Sequence, residues 1–425
     1  MALTPDATNK LKNQSPTALG LALVGISAPA LALYGSKGVA VLFILAAIAS
    51  LYTLIAQKSW RLSIPGPLGL SLLALVLWGV ASLTWTVSQN LSWSLARTLP
   101  LAMAGGYLIV YSVKQLNPVG LHFVGRATVF GLSLGVILAV ADIASGYALS
   151  MAMQILRKGG EWTSYMPGFV INNGVTVLVL FLWPVCIFLF NHNRRLAALV
   201  GVAAVAAIAA VSTSFASIIA VAVGCTSFAL AYLVPRHIYK MTVAGLALLF
   251  LASPFFMTAL PDARTIGKDL PELDYGVYPR LVIWQYASNL IMEQPVTGYG
   301  LKTSRTLNTE SEPIPFVFMD NGKLEHGNTN AISLHTHNGI IQLWLELGAV
   351  GALIGLAIIL SVLHGIKNIA TSATVKALLY ASLLSSVCLI SVSYGLWQSW
   401  WMASLWLQGA LITACLRSKD DSAAT

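Results

Sequence analysis

Twelve long apolar runs dominate this sequence and limit what it can fold into. Each has roughly the 20 residues that a helix needs to cross the hydrocarbon core of a bilayer. A segment surrounded by lipid must satisfy its own backbone hydrogen bonds, and a helix does so. The sequence therefore predicts twelve membrane helices, at residues 17–35, 37–56, 66–85, 96–113, 118–144, 168–191, 196–212, 214–234, 241–260, 338–363, 374–394 and 396–416.

The composition supports this class of fold. Hydrophobic residues make up 57% of the chain and charged residues only 9%, whereas soluble domains carry about 25% charged residues. The net charge of +9 does not indicate nucleic-acid binding, because the lysines and arginines are scattered between the apolar runs. We predict an all-α polytopic membrane bundle that forms a single domain over residues 1–425.

The distribution of lysine and arginine predicts the orientation. Cytoplasmic loops of membrane proteins are enriched in these two residues. If the N-terminus is cytoplasmic, thirteen of them fall in inside segments and four in short outside segments. We therefore expect both termini in the cytoplasm, and we expect the first run to remain as an anchor because the polar stretch before it does not resemble a removable signal peptide.

Two outside segments interrupt the bundle. The longer one, residues 261–337, contains six prolines and many polar residues, and we expect short helices joined by turns that cover the outer ends of the spans. The shorter one, at about 145–167, carries Arg157 close to aromatic residues, which indicates an interfacial position or a contact with a ligand.

The end of the long segment holds the strongest candidate for chemistry. His335, His337 and Asn338 come immediately before the tenth apolar run. An imidazole titrates close to neutral pH and can accept a proton from a substrate at the membrane surface. The alternative is a histidine that caps the helix or lies in the interface.

The cationic residues of the long segment cannot act as inside-topology signals. Arg264, Arg280, Lys302 and Arg305 are the candidates, and arginine suits the bidentate recognition of phosphate. Nearby acidic residues leave the alternative that these charges are paired or solvated. A metal site at His326, His335, His337 and Glu325 is not expected, because the separations fit no familiar ligand pattern.

Three charged residues fall inside apolar runs. Glu346 lies nine residues after His337, which places it on the opposite helix face, so we expect it to bond a neighbouring helix. Arg126 either faces the bundle interior or extends towards the membrane surface. Asp142 is too far along the same run to neutralise Arg126.

The sequence resembles the O-antigen ligases, within the superfamily of O-antigen ligases and polymerases. His337-Asn338, nine residues, Gly348, two residues and Gly351 match the histidine motif of that family. The stretch that begins at Arg280 and runs to Ser304 is similar to its loop segment, although Trp284 stands where the arginine motif is often written with leucine. This departure makes Arg264 a rival to Arg280.

The resemblance implies an enzyme without a cofactor or metal that works on the periplasmic face of a Gram-negative inner membrane. It would move O-antigen polysaccharide from undecaprenyl pyrophosphate to a sugar of the lipid A core, with inversion. His337 would deprotonate the acceptor hydroxyl. Arg280, Arg264, Lys302 and Arg305 would bind the pyrophosphate, and Arg157, Asn338 and His335 are expected to line the substrate cavity.

Two other functions stay open at this point. An O-antigen polymerase or a protein O-oligosaccharyltransferase would use the same lipid-linked donor with a different acceptor. A transporter without catalysis would show charged residues in the membrane and paired half-helices. No internal repeat that would supply such halves is visible in the sequence.

Overall fold

The computed structural model describes residues 14–58, 66–158, 167–273, 275–308, 312–320, 323–332 and 334–418. Within these residues the chain is an all-α bundle with one short hairpin of strands. Its helices are α1 (Pro16–Gly35), α2 (Gly38–Ala56), α3 (Pro67–Ala81), α4 (Gln89–Val113), α5 (Pro118–Ala144), α6 (Ala148–Lys158), α7 (Asn172–Asn191), α8 (Arg195–Val211), α9 (Phe215–Leu233), α10 (Ile238–Ala259), α11 (Val277–Glu293), α12 (Gly339–Asn368), α13 (Ala373–Val392) and α14 (Ser399–Arg417).

Each of the twelve apolar runs contains one of these helices, while α6 and α11 belong to the two outside segments. In the described part of the chain, nine helices have the length and hydropathy of a membrane span, and α8 is apolar but shorter. The prediction of an all-α polytopic membrane protein is confirmed. Several boundaries differ by three to seven residues: α4 begins before the predicted residue 96, α3 ends before residue 85, and α12 continues beyond residue 363. Helix α14 begins after residue 396 because residues 393–398 form a non-helical link.

Helix α7 lies at the centre of the bundle. In its most apolar stretch 89% of the residues are buried, against 22–50% for most of the other spans, and it packs against α1, α5, α8, α13 and α14. Aromatic and branched side chains such as Phe181 and Trp183 are almost fully buried along it. Such an all-round apolar helix is what the interior of a large bundle requires.

Small residues let α1 and α5 approach closely. A Cβ atom on Gly131 of α5 would lie only 1.9 Å from the carbonyl oxygen of Gly25 in α1. Without a hydrophobic driving force between helices in lipid, close van der Waals contact is a main source of association. This crossing therefore fixes α1 against α5.

Side-chain hydrogen bonds identify the end of the bundle that carries the long segment. Asn173 Nδ2 donates to Ser36 Oγ at 3.0 Å, and the hydroxyls of Thr176 and Tyr394 lie 3.1 Å apart. Ser393, next to Tyr394, in turn contacts His337 at the end of the long segment. At the opposite end, ring nitrogens of His122 and His192 lie 3.2 Å apart.

The two charges of α5 have separate environments. The buried Asp142 accepts hydrogen bonds from the backbone N–H groups of Leu149 and Ser150 and from the Ser150 hydroxyl, so it caps the start of α6. The Arg126 side chain is exposed on the outside of the bundle. This favours extension towards the membrane surface over the interior alternative.

The long segment contains structure that the sequence analysis missed. Besides helical turns and α11, it forms an antiparallel hairpin of β1 (Ile314–Asp320) and β2 (Lys323–Thr329). A small apolar core of Ala263, Ile266, Tyr278, Val282 and Phe316 joins the hairpin to α11. The expectation of short helices alone was wrong, because this core stabilises two strands against the helix.

We expect Gly131→Ala to lower the stability of the purified protein by about 1–3 kcal/mol, because the added methyl group overpacks the crossing of α1 and α5. Gly245→Ala in α10 is the matched control, since a Cβ there meets nothing within 4 Å. Thermal unfolding in detergent measures both variants. Equal midpoints for the two would contradict the close crossing.

Candidate active site

His337 lies at the point where the long segment returns to the bundle. Its backbone has a positive φ of 54°, which is uncommon for a residue with a side chain. Its Nδ1 atom lies 2.9 Å from the Ser393 carbonyl oxygen. A carbonyl only accepts, so Nδ1 carries the proton and the neutral ring keeps its free lone pair on Nε2. The ring therefore has the tautomer of a base that acts through Nε2.

The residues on either side of His337 hold this conformation. Asn338 is the N-cap of α12, and its Oδ1 accepts hydrogen bonds from the backbone N–H groups of Ile340 and Ile341 at 3.0 and 3.1 Å. The Thr336 hydroxyl donates to the Asn338 carbonyl at 2.7 Å. Both side chains are buried. The geometry gives Asn338 a capping role, whether or not it also contacts a substrate.

Helix α11 brings Arg280 to the same place. Trp284 Nε1 donates to the carbonyl of Thr336 at 2.8 Å, which fixes α11 beside the His337 backbone. Arg280 lies one helical turn before Trp284, on the same face. Its Nη1 donates to the Gly276 carbonyl at 3.0 Å, and its charge acts on His337. Trp284, which departs from the usual leucine, thus supplies the hydrogen bond that aligns the helix.

The environment keeps both histidines neutral. Burial lowers the pKa of His337, the hydrogen bond to Ser393 raises it, and the charge of Arg280 lowers it. The ring of His335 lies against that of His337 with centroids 4.2 Å apart. Burial lowers the pKa of His335 to about 3, with further lowering by His337 and Arg305. Neutral rings leave His337 able to accept a proton at physiological pH.

The other two cations of the site come from the stretch just after α11. Arg305 is exposed, and its charge acts on both His335 and Lys302. Lys302 is half-buried, and its Nζ donates to Ser94 Oγ at 3.0 Å. Burial lowers the pKa of Lys302, as does Arg305, while Glu346 raises it. The charges of Arg280 and Arg305 therefore act on the histidine pair, and Lys302 lies within reach of the charge of Arg305.

Arg264 has different surroundings. It forms an ion pair with Asp262, with Nη2 and Oδ2 2.7 Å apart, and both side chains are substantially exposed. It lines a polar cavity of about 540 Å³ together with Gln285 and Asn289. These two residues lie on the face of α11 opposite Arg280 and Trp284, given 100° per residue. Of the two rival arginines, Arg280 is the one whose charge acts on His337.

The remaining candidates contribute less to this arrangement. The backbone of Arg157 is in α6, but its side chain lies outside the described residues. Glu325 and His326 are in β2, and no group of three or more potential metal-ligating side chains occurs among the residues that the structure describes.

Helix α12 is interrupted beside the site. Gly348 has φ 63° and ψ −164°, and a Cβ on it would lie 2.1 Å from the Val296 carbonyl oxygen. The carbonyls of Leu345 and Glu346 accept hydrogen bonds from the backbone N–H groups of Tyr299 and Gly300, at 3.0 and 2.8 Å. The first glycine of the histidine motif therefore breaks the helix so that residues 296–300 can pair with it.

The helical spacing predicted that Glu346 bonds a neighbouring helix, and this prediction was wrong. Its carboxylate accepts hydrogen bonds from Lys302, Ser304 and Trp397, which lie outside the membrane-spanning helices, and from Gln342 in its own helix. The spacing argument assumed an unbroken bundle of helices. Because α12 is broken at Gly348, residues of the long segment lie beside Glu346.

Sequence reasoning also missed the link between α13 and α14. Ser393 supplies the carbonyl for His337, and a Cβ on Gly395 would lie 2.7 Å from the His335 ring. The available signal was the polar residues Ser391, Ser393 and Tyr394 at the end of the run predicted at 374–394.

Fold and site together define a polytopic membrane protein with a neutral histidine and a group of cations at one end of its bundle. Residues 200–356 match the family model described as O-antigen ligase. This region contains His337, Arg280, Lys302 and Arg305. The comparison confirms the resemblance that the histidine motif predicts.

Several rickettsial proteins are similar to this chain, and they are named as candidate polysaccharide ligases. The one from Rickettsia typhi is 27% identical over 241 residues, which cover 56% of this chain and 57% of the relative. Those from Rickettsia conorii and Rickettsia felis are 26% and 29% identical, over 66% and 56% of this chain. The similarity spans 57–64% of the length of these three relatives.

We expect Arg280→Gln to raise the pKa of His337, because it removes a positive charge that disfavours the imidazolium. Arg264→Gln, the matched control, should leave it unchanged. Nitrogen chemical shifts of labelled histidine, followed against pH in detergent, measure this. The seven histidines can be assigned by single substitution, and equal shifts from both arginine variants would contradict the pairing of Arg280 with His337.

Proposed function

We propose that this protein is an O-antigen ligase: it transfers a polysaccharide from undecaprenyl pyrophosphate to a sugar of the lipid A core on the periplasmic face of the inner membrane. The observation that carries the proposal is the His337 tautomer, with Nδ1 engaged by the Ser393 carbonyl and Nε2 left as a base. The matched family and the names of the rickettsial relatives support a polysaccharide ligase.

The proposed reaction needs a base and a set of cations. His337 Nε2 takes the proton of the acceptor hydroxyl, and the acceptor oxygen forms a bond to the anomeric carbon of the donor sugar. The bond from that carbon to the pyrophosphate oxygen breaks, and its electron pair leaves with undecaprenyl pyrophosphate. Attack from the face opposite the leaving group inverts the anomeric centre. The imidazolium then releases its proton to solvent.

The cations suit the developing negative charge of the leaving group. Arg280 offers a guanidinium whose charge acts on His337, Arg305 offers one that acts on His335, and Lys302 adds a charge that interacts with Arg305. In a partly buried site such charges stabilise a forming anion more strongly than they would in water. In this mechanism, guanidinium and ammonium groups take the role of a divalent cation. The sugar is already activated by its pyrophosphate, so no nucleotide is consumed.

An apolar groove supports a lipid-linked substrate. A cavity of about 970 Å³ runs between α3, α4, α12, α13 and α14, with Leu72, Leu343 and Ile412 among its lining residues. Trp397 lines it close to the site, and Lys114 and Arg417 line its far end. A prenyl tail can enter this groove from the bilayer without leaving apolar surroundings. A prenyl tail in this groove would leave its pyrophosphate next to the cations.

We expect His337→Ala to reduce transfer of glycan to lipid A core by about 10²–10⁴-fold, the usual contribution of a general base. Purified protein would be incubated with lipid-linked O-antigen and core lipid, and the product followed on gels. Glu325→Gln, at an exposed site in β2, is the control for the substitution itself.

A folded His337→Ala protein with wild-type transfer would contradict the role of the base. The acceptor is tested in parallel with core lipid, growing glycan or a pilin-like protein. Consumption of growing glycan or protein instead of core lipid would identify a polymerase or a protein O-oligosaccharyltransferase and overturn the assignment of the acceptor.

The groove gives a further prediction. Gly409 of α14 lines it, and a Cβ there meets nothing within 4 Å. Gly409→Trp should fill the groove and raise the KM for the long-chain donor, while the KM for a short-chain prenyl donor changes little. Gly245→Trp, at an exposed and equally open position on α10, is the matched control. Equal KM values for the two variants would place the tail elsewhere.

A further inference from the structure

Glu346 is a fully buried acid that the proposed mechanism does not use. It lies in α12, and its side chain is 0% exposed. A carboxylate within a membrane span is costly unless it is paired or hydrogen-bonded, and such residues commonly serve a function. The question is what this one does.

Five hydrogen bonds converge on its two oxygens. Oε1 accepts from Gln342 Nε2 at 2.9 Å and from the backbone N–H and the hydroxyl of Ser304. Oε2 accepts from Trp397 Nε1 at 2.6 Å and from the backbone N–H of Lys302. Every contact is a hydrogen bond donated to one of the two carboxyl oxygens. With both oxygens occupied, Glu346 is poorly placed to take a proton from a substrate.

Three of these bonds hold one short stretch, residues 300–306, which we call the cationic segment because it contains Lys302 and Arg305. Lys302 has a positive φ of 62°, a conformation that persists only when its surroundings enforce it. The bond from its N–H to Glu346 is one such constraint. A second is the pairing of the Gly300 N–H with the Glu346 carbonyl at 2.8 Å, made possible by the break at Gly348.

The charges of the cationic segment reach the histidine pair. Arg305 acts on His335 and on Lys302, and Lys302 extends to Ser94 on the first turns of α4. Nothing else on the segment has a charge. Moving its backbone would therefore move two of the three cations around the site, while Arg280, on α11, would stay in place.

We propose that Glu346 is a positioning residue: its carboxylate fixes the cationic segment so that Lys302 and Arg305 bind the diphosphate of the lipid-linked donor. This inference rests on the proposed function and adds a residue to it. Glu346 acts through the backbone of the segment and does not touch the substrate. It should consequently affect binding of the diphosphate and leave proton transfer at His337 unchanged.

Glu346→Gln tests the role directly. The amide offers one acceptor atom where the carboxylate offers two, so one pair of hydrogen-bond donors must face an NH₂ group. We expect the KM for the donor to rise about tenfold or more, which corresponds to the loss of one or two charge-assisted hydrogen bonds. The apparent pKa on the acidic side of the kcat–pH profile should not change, because this pKa belongs to His337. Glu346→Asp, which keeps the charge, should restore part of the affinity.

Binding without turnover separates this role from catalysis. Farnesyl diphosphate would be titrated calorimetrically into the full-length protein in detergent. We expect weaker binding for Glu346→Gln and a smaller loss for Ser304→Ala, which removes a single donor and is less prone to misfold. Glu325→Gln is the control. The double variant Lys302→Met, Glu346→Gln should have about the same affinity for farnesyl diphosphate as the weaker-binding of the two single variants. The two effects should not add, because both changes act on the cationic segment.

Three outcomes would overturn the proposal. Unchanged diphosphate affinity in both Glu346→Gln and Ser304→Ala, with wild type binding normally, would reject the positioning role and leave the ligase assignment intact. A shift of the apparent pKa on the acidic side of the kcat–pH profile in Glu346→Gln would instead indicate a role in proton transfer. Absence of diphosphate binding by the wild type would reject the inference together with the proposed donor.

Discussion

The arrangement of the site depends on how α12 satisfies its backbone where it is interrupted. At Gly348 the helix loses internal hydrogen bonds inside the bundle, where no water replaces them. Residues 295–300 supply the missing partners: Ala349 N–H donates to the Pro295 carbonyl at 2.8 Å, and Tyr299 and Gly300 donate to carbonyls on the other side of the break. The same pairing brings the end of α11 and the cationic segment down to the level of Glu346. An uninterrupted helix would leave that segment without a fixed place.

Two structural elements then position the chemistry independently. Helix α11 carries Arg280 and is held to the His337 backbone through Trp284. The cationic segment carries Lys302 and Arg305 and is held through Glu346. The imidazole of His337 is oriented by a third element, the link between α13 and α14, which contributes the Ser393 carbonyl. His337 and the cations are therefore brought together from parts of the chain that are far apart in sequence.

The helical bundle could be predicted from the sequence because membrane helices are encoded locally. An apolar run of about 20 residues has few alternatives in lipid, so all twelve runs correspond to helices. The hairpin of β1 and β2 was missed, although the Asn-Gly pair at 321–322 is a well-known hairpin turn signal in the sequence. Its stability comes from contacts with Tyr278 and Val282 of α11, which no local pattern contains.

The histidine and the arginines were identified from motif and chemistry, but their grouping required the tertiary structure. The sequence positions of Arg264 and Arg280 do not show which of the two arginines lies near His337. The choice depends on which face of α11 packs against residues 336–337. Glu346 was misjudged because its partners depend on the break at Gly348. Gly348 belongs to the histidine motif, and the break that it makes in α12 places Glu346 next to backbone N–H groups instead of another helix.

The bond from Trp284 to the Thr336 carbonyl couples the position of α11 to the geometry of the site. Arg280 and Trp284 lie on one rigid helix, so α11 cannot swing outward without rupturing that single hydrogen bond. Such a movement would carry the guanidinium away from the imidazole at the same moment. Opening of this side of the site and loss of the arrangement of Arg280 and His337 would then be one event.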